Sequence, residues 1–240
     1  MHDWGERTHL ELRGLRRRGR VVGAVVVLHG AGAAELRRAA ALAALLADRC
    51  LLVAVDGGLR TCQATGRRPD LFVGDGDSAR QVPESMPAVR FPQDKDFSDL
   101  AGALPELRKR LVQVVVVAGL LGGRLDHEWA NLFELGASAR GFAALLAPSR
   151  RGTVLITGRG CRAATVPGRV FSLLPLGGPA TVTLNGTRWE LARRRLRPGS
   201  HGLSNRTGTE LDLTVHNGIV ALVFPPGPVR RRRGSAGVGL

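Results

Sequence analysis

Residues 70–78 read Asp70-Leu71-Phe72-Val73-Gly74-Asp75-Gly76-Asp77-Ser78, a short apolar run followed by a turn that carries two carboxylates one residue apart. Residues two apart in an extended or turn conformation project the same way, so Asp75 and Asp77 could both bind one hard cation such as Mg²⁺. An acidic, glycine-rich surface loop has the same appearance, because Asp-Gly is a common turn dipeptide. This stretch alone favours the surface loop, and the rest of the chain decides between the two interpretations.

Three other apolar runs of strand length end in the same manner. They are residues 21–28, 51–55 and 114–118, and each leads through a polar or glycine-bearing turn into a segment of helical character. This alternation predicts an α/β domain whose mostly parallel sheet is flanked by helices. Ligands of such sheets bind beyond the carboxyl ends of the strands, where Asp56, Asp75 and Asp126 fall. Asp56 could equally cap the short helix that follows it.

Two further turns carry candidate residues. Residues 93–99 place three carboxylates and Lys95 directly before a helical segment at 100–110. Ser98 or Asp99 could cap that helix, or Asp99 could give a third carboxylate to a metal ion. In the turn at 119–127, His127 lies one helical turn before Asn131, on the same helix face. A single histidine at such a position is more often structural than a ligand.

Composition limits the class of protein. A chain of 240 residues with 44% hydrophobic content can form one large domain or two modest ones around a packed core. Its longest apolar runs are far short of the ~20 residues of a membrane helix. No secretory signal is evident, so we predict a cytoplasmic protein without a membrane partner. The odd number of cysteines, without CxxC spacing, argues against a disulfide framework and a cysteine-ligated zinc site.

The net charge of +15 raises the possibility of nucleic-acid binding. Nearly all of the positive charge is arginine, which fits compositional drift better than a selected binding surface. Eleven of the twenty acidic residues lie between Asp56 and Glu128, whereas residues from 151 onward contain three acids and fourteen arginines. A concentrated acidic site in a basic protein suits a metal-assisted reaction on an anionic nucleotide better than a groove that follows DNA.

After residue 150 the sequence changes to short β-like runs separated by Gly, Pro and Asn turns. Asn185-Gly186 and Asn217-Gly218 are strong hairpin signals, so we expect a second, all-β domain built as a sandwich or roll. The predicted organisation is a flexible basic arm at 1–20, a catalytic α/β domain at 21–150, a β domain at 151–225 and a disordered basic tail at 226–240.

Five motifs in order resemble those of the thiamine pyrophosphokinase (thiamine diphosphokinase) family. They are an acid before Gly-Gly at Asp56, the turn Gly74-Asp75-Gly76-Asp77-Ser78, the stretch Lys95-Asp96-Phe97-Ser98-Asp99, the stretch Gly122-Gly123-Arg124-Leu125-Asp126-His127 with Asn131-Leu132, and Ser204-Asn205. Each alone is weak, but together they span most of the chain and fall where the predicted strands end. The resemblance implies pyrophosphoryl transfer from ATP to the hydroxyethyl oxygen of thiamine, which gives thiamine diphosphate and AMP.

The resemblance also implies roles for the motif residues and a homodimer. Asp75, Asp77 and Asp99 are the expected Mg²⁺ ligands, and Lys95 and Arg124 the expected phosphate contacts. Asp126 is also expected to take part in catalysis, together with these five residues. The remaining motif residues are expected to bind or orient the substrates: Asp56, Ser78, Asp96, Ser98, His127, Asn131, Ser204 and Asn205. In the family, the β domain of one subunit completes the thiamine site of the other, and no GxxxxGK[ST] phosphate loop is present here.

Two positions depart from the family pattern. Gly76 stands where the family usually has a bulky residue, and Arg206 stands where an acid is common. These departures leave one alternative: a catalytically altered relative that binds a nucleotide or a thiamine compound without turnover. Nucleic-acid binding through the arginines is less favoured, and it would weaken steeply with salt.

Overall fold

The computed structural model describes residues 10–15, 20–76 and 82–226. Most of the predicted arm and tail lies outside these residues.

The first part of the chain forms β1 (Leu10–Leu12), β2 (Val22–Val27), α1 (Ala33–Leu46), β3 (Arg49–Val55), α2 (Gly58–Ala64), β4 (Leu71–Gly74), β5 (Ala88–Arg90), α3 (Asp99–Lys109), β6 (Val114–Ala118), α4 (Leu125–Ser138), a 3₁₀ turn (Ala139–Gly141) and β7 (Ala144–Ser149).

Six of these strands pair in parallel in the order β5-β4-β3-β2-β6-β7. The chain moves outward from β2 through β3 and β4 to β5 and then returns to form β6 on the other side of β2. The order of the strands therefore reverses between β2 and β6. In open α/β sheets, ligands bind beyond the carboxyl ends of the strands at such a reversal.

Helices cover both faces of this parallel sheet. Leu36 and Leu42 of α1 pack with Val25 and Val27 on one face. On the opposite face, α3 and α4 bury leucines against the alternate residues of β2 and β6. Both faces are covered, which explains why the central strands are nearly continuous in β-branched residues. Within the described ranges, no helix is long and apolar enough to cross a bilayer.

The remaining strands pair antiparallel, and all of them except β1 lie in the C-terminal part of the chain. The C-terminal strands are β8 (Gly152–Thr157), β9 (Gly160–Ala164), β10 (Val170–Pro175), β11 (Ala180–Thr187), β12 (Leu191–Leu196), β13 (Asn205–Asn217) and β14 (Val220–Phe224). Strands β8, β14 and β10 continue the sheet from β7 in that order, and β13 follows β10. Strand β13 also pairs with β9, which pairs with β1, and with β11, which pairs with β12. Only two residue pairs join β10 to β13 and so connect these two groups of strands: Val170 with Arg206, and Phe171 with Asn205.

The predicted α/β part followed by an all-β part is confirmed, with a sheet that is mixed as a whole. Strands β5 and β7 were not predicted: β5 has only three residues, and β7 reads Ala-Leu-Leu-Ala-Pro-Ser without a β-branched residue. Strand β12 was also not predicted, because Leu-Ala-Arg-Arg-Arg-Leu has the composition of a solvated loop. It lies at an edge and pairs only with β11, a position where charged side chains block further strand pairing.

The two Asn-Gly signals differ in outcome. A hairpin does join β11 and β12, but Asn185 and Gly186 lie inside β11, where the register shifts and Gly186 has φ 72°. The prediction of a hairpin at Asn217-Gly218 is wrong, because β13 and β14 do not pair with each other. Strand β14 pairs instead with β8 and β10. Gly218, at φ 83°, turns the chain from one set of strands to the other.

Candidate active site

Lys95 is the centre of an acidic cluster at the carboxyl edge of the parallel sheet. Its Nζ lies 3.1 Å from Asp99 Oδ1 and 3.6 Å from Asp75 Oδ2, and only 8% of its side chain is exposed. Asp75 directly follows β4 and Asp99 is the first residue of α3. Burial lowers the pKa of Lys95, but the ion pairs with Asp99 and Asp75 outweigh it and hold the pKa above its ordinary value. Lys95 is therefore a fixed cation among carboxylates.

Asp99 is disfavoured in its charged form. Burial raises its pKa, Lys95 opposes this effect, and the negative charges of Asp56 and Asp75 add to it, so that the net pKa is above the ordinary value. One lysine does not fully compensate the carboxylates that surround it. A second cation at this position would lower the free energy of the cluster.

Asp56 follows β3 in a left-handed backbone conformation, at φ 43°. Its N–H donates to the Val73 carbonyl over 2.9 Å, and a Cβ at Gly74 would lie only 3.2 Å from the Asp56 Cα. The close contact requires glycine at position 74. The N-cap of α2 is Gly57, without a side-chain bond, so Asp56 is not the cap of that helix.

The donor set suits Mg²⁺, which prefers carboxylate oxygens. Asp56 Oδ1 is buried and has no hydrogen-bond partner within the described residues, as an atom reserved for a ligand would be. Among residues 10–15, 20–76 and 82–226, no three His, Cys, Asp or Glu side chains form a ready-made metal site. Asp77 and Ser78 lie outside the described residues, so their predicted roles stay predictions.

At the start of α3, one residue caps the helix and the next belongs to the acidic cluster. Ser98 is the N-cap, and its Oγ accepts a hydrogen bond from the Ala101 N–H over 3.1 Å. Asp99 is then available to pair with Lys95. Asp96 is exposed to solvent. Of the two capping residues considered from the sequence, Ser98 has that function and Asp99 belongs to the cluster.

The predicted phosphate contact Arg124 pairs with another member of its own motif. Arg124 Nη2 lies 2.7 Å from Asp126 Oδ2, and both side chains are more than half exposed. The Asp126 carboxylate raises the pKa of Arg124, and the guanidinium lowers that of Asp126. His127 is exposed and Asn131 half-buried on the first turns of α4. No hydrogen bond or ion pair within the described residues joins Arg124 or Asp126 to Lys95.

Asn205 is buried and organises the turn between β11 and β12. Its Oδ1 accepts from the N–H groups of Trp189 and Arg206, and its Nδ2 donates to the Trp189 carbonyl. Ser204, at φ 60°, is exposed, and its N–H donates to Ser172 Oγ. The structure therefore separates the two: Ser204 faces solvent, whereas the Asn205 amide is used within the fold.

Two glutamates that the sequence did not single out hold the loop between β6 and α4. Gly119 N–H donates to Glu35 Oε1 over 2.8 Å, and Gly122 N–H donates to Glu128 Oε1. Acids in the first turn of a helix are common, so neither position carried a distinctive signal. Glu128 is buried whereas the other polar residues of α4 are exposed or half-buried, and this difference is visible only in the three-dimensional structure.

Two family models match consecutive parts of the chain. The "Thiamin pyrophosphokinase, catalytic domain" model matches residues 42–142, and the "Thiamin pyrophosphokinase, vitamin B1 binding domain" model matches residues 161–220. Together they cover well over half of the sequence. The chain belongs to the thiamin pyrophosphokinase family. The match to the catalytic-domain model contains the Lys95 cluster and the Arg124 loop, and the match to the vitamin B1 binding model contains Ser204 and Asn205.

Solved structures of thiamin pyrophosphokinases share the fold. The Bacillus subtilis thiamine pyrophosphokinase is 18% identical, with a TM-score of 0.68 over 85% of this chain and 99% of its own. The Geobacillus thermodenitrificans protein is 21% identical, with a TM-score of 0.67 over 87% and 99%. The Candida albicans protein is 14% identical, with a TM-score of 0.67 over 85% and 89%. No curated protein sequence matches the chain significantly.

The two departures from the family motifs have structural correlates in this thiamin pyrophosphokinase family member. Gly76 has φ 84°, a conformation that side chains rarely adopt, and a Cβ there would lie 2.9 Å from an Arg90 guanidinium nitrogen. Arg206 Nη1 donates to the Gly168 carbonyl over 3.0 Å. Glycine at 76 therefore fits the backbone of its turn, and Arg206 stabilises a neighbouring loop.

Proposed function

We propose that the protein transfers a pyrophosphoryl group from ATP to the hydroxyethyl oxygen of thiamine, in the presence of Mg²⁺, and produces thiamine diphosphate and AMP. The observation that carries this proposal is the Lys95 cluster. It lies at the carboxyl edge of the parallel sheet, inside the region that matches the catalytic-domain model. Transfer of phosphoryl-type groups depends on positioning and charge neutralisation, which are the properties this cluster supplies.

The chain's own residues divide into metal-binding and phosphate-binding groups. Asp75, Asp77 and Asp99 would hold Mg²⁺, which would supply positive charge to neutralise the phosphates. Lys95 would then bind a phosphate oxygen, since its carboxylate partners would be neutralised by the ion. Arg124 is exposed and can bind phosphate with two parallel hydrogen bonds while Asp126 orients it.

The remaining motif residues would orient the substrates. Asp56, whose Oδ1 has no hydrogen-bond partner among the residues that the structure describes, can accept the hydrogen of the thiamine hydroxyl. Ser78, Asp96, Ser98, His127 and Asn131 would make supporting contacts on the α/β side of the site. Ser204 would do so on the β side, where Asn205 would hold the adjoining turn through its bonds to Trp189 and Arg206.

We also propose a homodimer in which the β strands of one subunit complete the site of the other. Strand β10, which pairs with the start of β13 beside Ser204, is seven strand positions from β4, which ends at Asp75. At about 4.8 Å per strand this is about 34 Å along the sheet. A thiamine molecule is too small to contact both ends within one chain unless the sheet curls strongly. A second copy removes this difficulty.

The exposed face of α4 supports the same proposal. Leu125, Trp129 and Phe133 follow one another at intervals of four residues and are 69%, 59% and 55% exposed. Phe133 also borders a cavity of about 470 Å³ between α4 and the turns at Leu176 and Ile219. A continuous apolar stripe of this kind on a helix is typical of a surface that another protein covers. A cytoplasmic location belongs to the proposal as well, and the three free cysteines suit a reducing compartment.

The test is formation of AMP and thiamine diphosphate from ATP, Mg²⁺ and thiamine. Asp75→Asn, Asp77→Asn and Asp99→Asn should each reduce the rate by at least ~10²-fold if they hold the metal. Asp94→Asn, in the same loop as Lys95, is the matched control and should stay near the wild-type rate. Tight binding of ATP or thiamine without turnover would select the catalytically altered alternative. Full activity of all three variants would reject the metal assignment.

A further inference from the structure

The loop between β6 and α4 has a backbone that glycine adopts readily and other residues do not. Gly119 and Gly122 have φ 86° and 103°, in the left-handed region. Glycine permits many other conformations with similar ease, so the sequence of the loop does not by itself fix this one. External hydrogen bonds have to select it. This loop leads directly to Arg124.

Glu128 supplies one of those hydrogen bonds and is itself held by an arginine. Its side chain is 8% exposed, it accepts the Gly122 N–H, and Arg151 Nη1 donates to its two oxygens over 3.2 and 3.0 Å. A buried carboxylate without a cationic partner would be strongly unfavourable. Arg151 is placed by its own turn, where its N–H donates to Ser149 Oγ over 3.0 Å.

Glu35 supplies the second hydrogen bond from the opposite side of the loop. Burial raises its pKa, while the Gly119 N–H and the guanidinium groups of Arg38 and Arg150 act in the opposite direction. Arg150 and Arg151 are neighbours in the turn between β7 and β8. From that turn Arg151 pairs with Glu128, and the positive charge of Arg150 acts to lower the pKa of Glu35.

We propose that Glu35 and Glu128, the latter through its ion pair with Arg151, are positioning residues that fix the Gly119–Gly123 loop and thereby set the place of Arg124. The assignment of Arg124 to the phosphates rests on the proposed function, whereas the fixing of the loop does not. Glu35 and Glu128 act through the backbone of the loop and not on the reacting atoms. The ion pair with Arg151 joins the β7–β8 turn to the candidate active site.

Amide hydrogen exchange of the full chain tests the loop directly. Glu128→Ala should speed exchange of the Gly122 N–H at least about tenfold and leave the Gly119 N–H within about twofold, because a hydrogen bond to a charged acceptor is lost at one end only. Glu35→Ala should give the reverse pattern. Glu128→Gln keeps an oxygen acceptor and should retain most of the protection. Glu134→Gln, further along α4, is the control and should change neither amide.

Kinetics test the consequence for the site. Glu128→Ala should lower kcat/KM for ATP about tenfold, with the KM for thiamine changed less than about twofold, and Glu128→Gln should restore most of the loss. Arg151→Ala should add little to Glu128→Ala if it acts only through that carboxylate. If Glu128→Ala does not fold, amide exchange and kinetics are measured on Arg151→Ala and Glu128→Gln instead.

Unchanged exchange at Gly122 in Glu128→Ala would overturn the proposal, and so would an equal effect of Glu134→Gln. Altered exchange with an unchanged kcat/KM would overturn the link to Arg124. A wild-type protein that does not transfer pyrophosphate would refute the proposed function, and the exchange measurement would still decide whether the two glutamates fix the loop.

Discussion

At the scale of single residues, Lys95 determines the electrostatics of the candidate site. It is one of only two lysines in the chain, the other being Lys109. Lys95 is buried between Asp75 and Asp99, whereas Lys109 is exposed and pairs with Glu106 on the surface of α3. The two lysines thus lie in opposite environments, so the same substitution at each position gives a test variant and its control.

Lys95→Met should destabilise the metal-free protein by about 1–2 kcal/mol, because it leaves two half-buried carboxylates without their cation. Mg²⁺ should restore a large part of this loss by replacing the missing positive charge. Urea unfolding with and without Mg²⁺ measures both effects. Lys109→Met should change the free energy of unfolding by less than about 1 kcal/mol and show no dependence on Mg²⁺. Equal losses in the two variants would contradict the role given to Lys95.

Asp99 predicts a pH dependence of stability that a metal should remove. Its pKa in the folded state is above the ordinary 3.8, so the folded protein holds this proton more tightly than the unfolded chain. The contribution of Asp99 is therefore fully present below pH 3.8 and is lost as the pH rises through the folded-state pKa. Asp99→Asn should be more stable than the wild type at pH 7 without metal, and should lose its Mg²⁺ response. Urea titrations at pH 4 and pH 7 would show the difference, and a wild type that gains stability over that interval relative to Asp99→Asn would contradict it.

Most residues of the candidate site could be predicted from the sequence, because they stand in local motifs directly after apolar runs. Asp56, Asp75 and Asp99 do lie at one edge, and burial together with the charges of Asp56 and Asp75 raises the pKa of Asp99. The pairing of Arg124 with Asp126 and the use of the Asn205 amide within the fold could not be predicted. Each depends on which polar partner lies nearest in three dimensions. The hydrogen bonds of Glu35 and Glu128 to the loop could not be predicted for the same reason. The loop is also distant from Glu35 in sequence.

At the scale of secondary-structure elements, strands with β-branched runs were predictable and others were not. Strands β2, β3, β4 and β6 are apolar and largely buried on both faces of the sheet. Strands β5 and β12 are short or charged and are specified by the neighbours to which they pair. The amino-acid composition of a strand indicates how deeply the strand is buried. These two edge strands are mostly exposed, so their composition carries little signal. The corner at Asn217-Gly218 shows the same limit, because turn chemistry does not specify which strands will pair.

The end of β4 is an element whose geometry should be sensitive to a single methyl group. Gly74→Ala would place a Cβ at φ 149° and 3.2 Å from the Asp56 Cα, so the strained backbone and the contact with Asp56 act together. We expect a loss of about 2 kcal/mol in the free energy of unfolding, together with a weaker response to Mg²⁺, because Asp56 is displaced. Gly32→Ala is the control, since that residue has φ −87° and open space around it. A wild-type urea midpoint for Gly74→Ala would contradict the close packing of the two strand ends.

At the scale of the whole molecule, the separation between the two ends of the site raises the question of which chain supplies Ser204. The exposed stripe of Leu125, Trp129 and Phe133 on α4 offers a surface for a second copy. A double variant, Trp129→Glu with Phe133→Glu, should shift the protein from dimer to monomer in light-scattering measurements and reduce transfer activity with it. Leu45→Glu changes an equally exposed leucine on α1 and should leave the mass unchanged. Dissociation by Leu45→Glu alone would place the interface on α1.

Mixing two inactive variants distinguishes a shared site from a site within one chain. Asp75→Asn removes a carboxylate of the acidic cluster, and Ser204→Arg blocks the β side. If each site uses Asp75 of one subunit and Ser204 of the other, a mixed dimer contains one intact site and one doubly altered site. Random exchange of subunits should then recover about a quarter of the wild-type activity, because half of the dimers are mixed and each has one working site. If each chain builds its site alone, both chains of every dimer carry a defect and the mixture stays inactive. Recovery of activity would therefore assign the two halves of the site to different subunits.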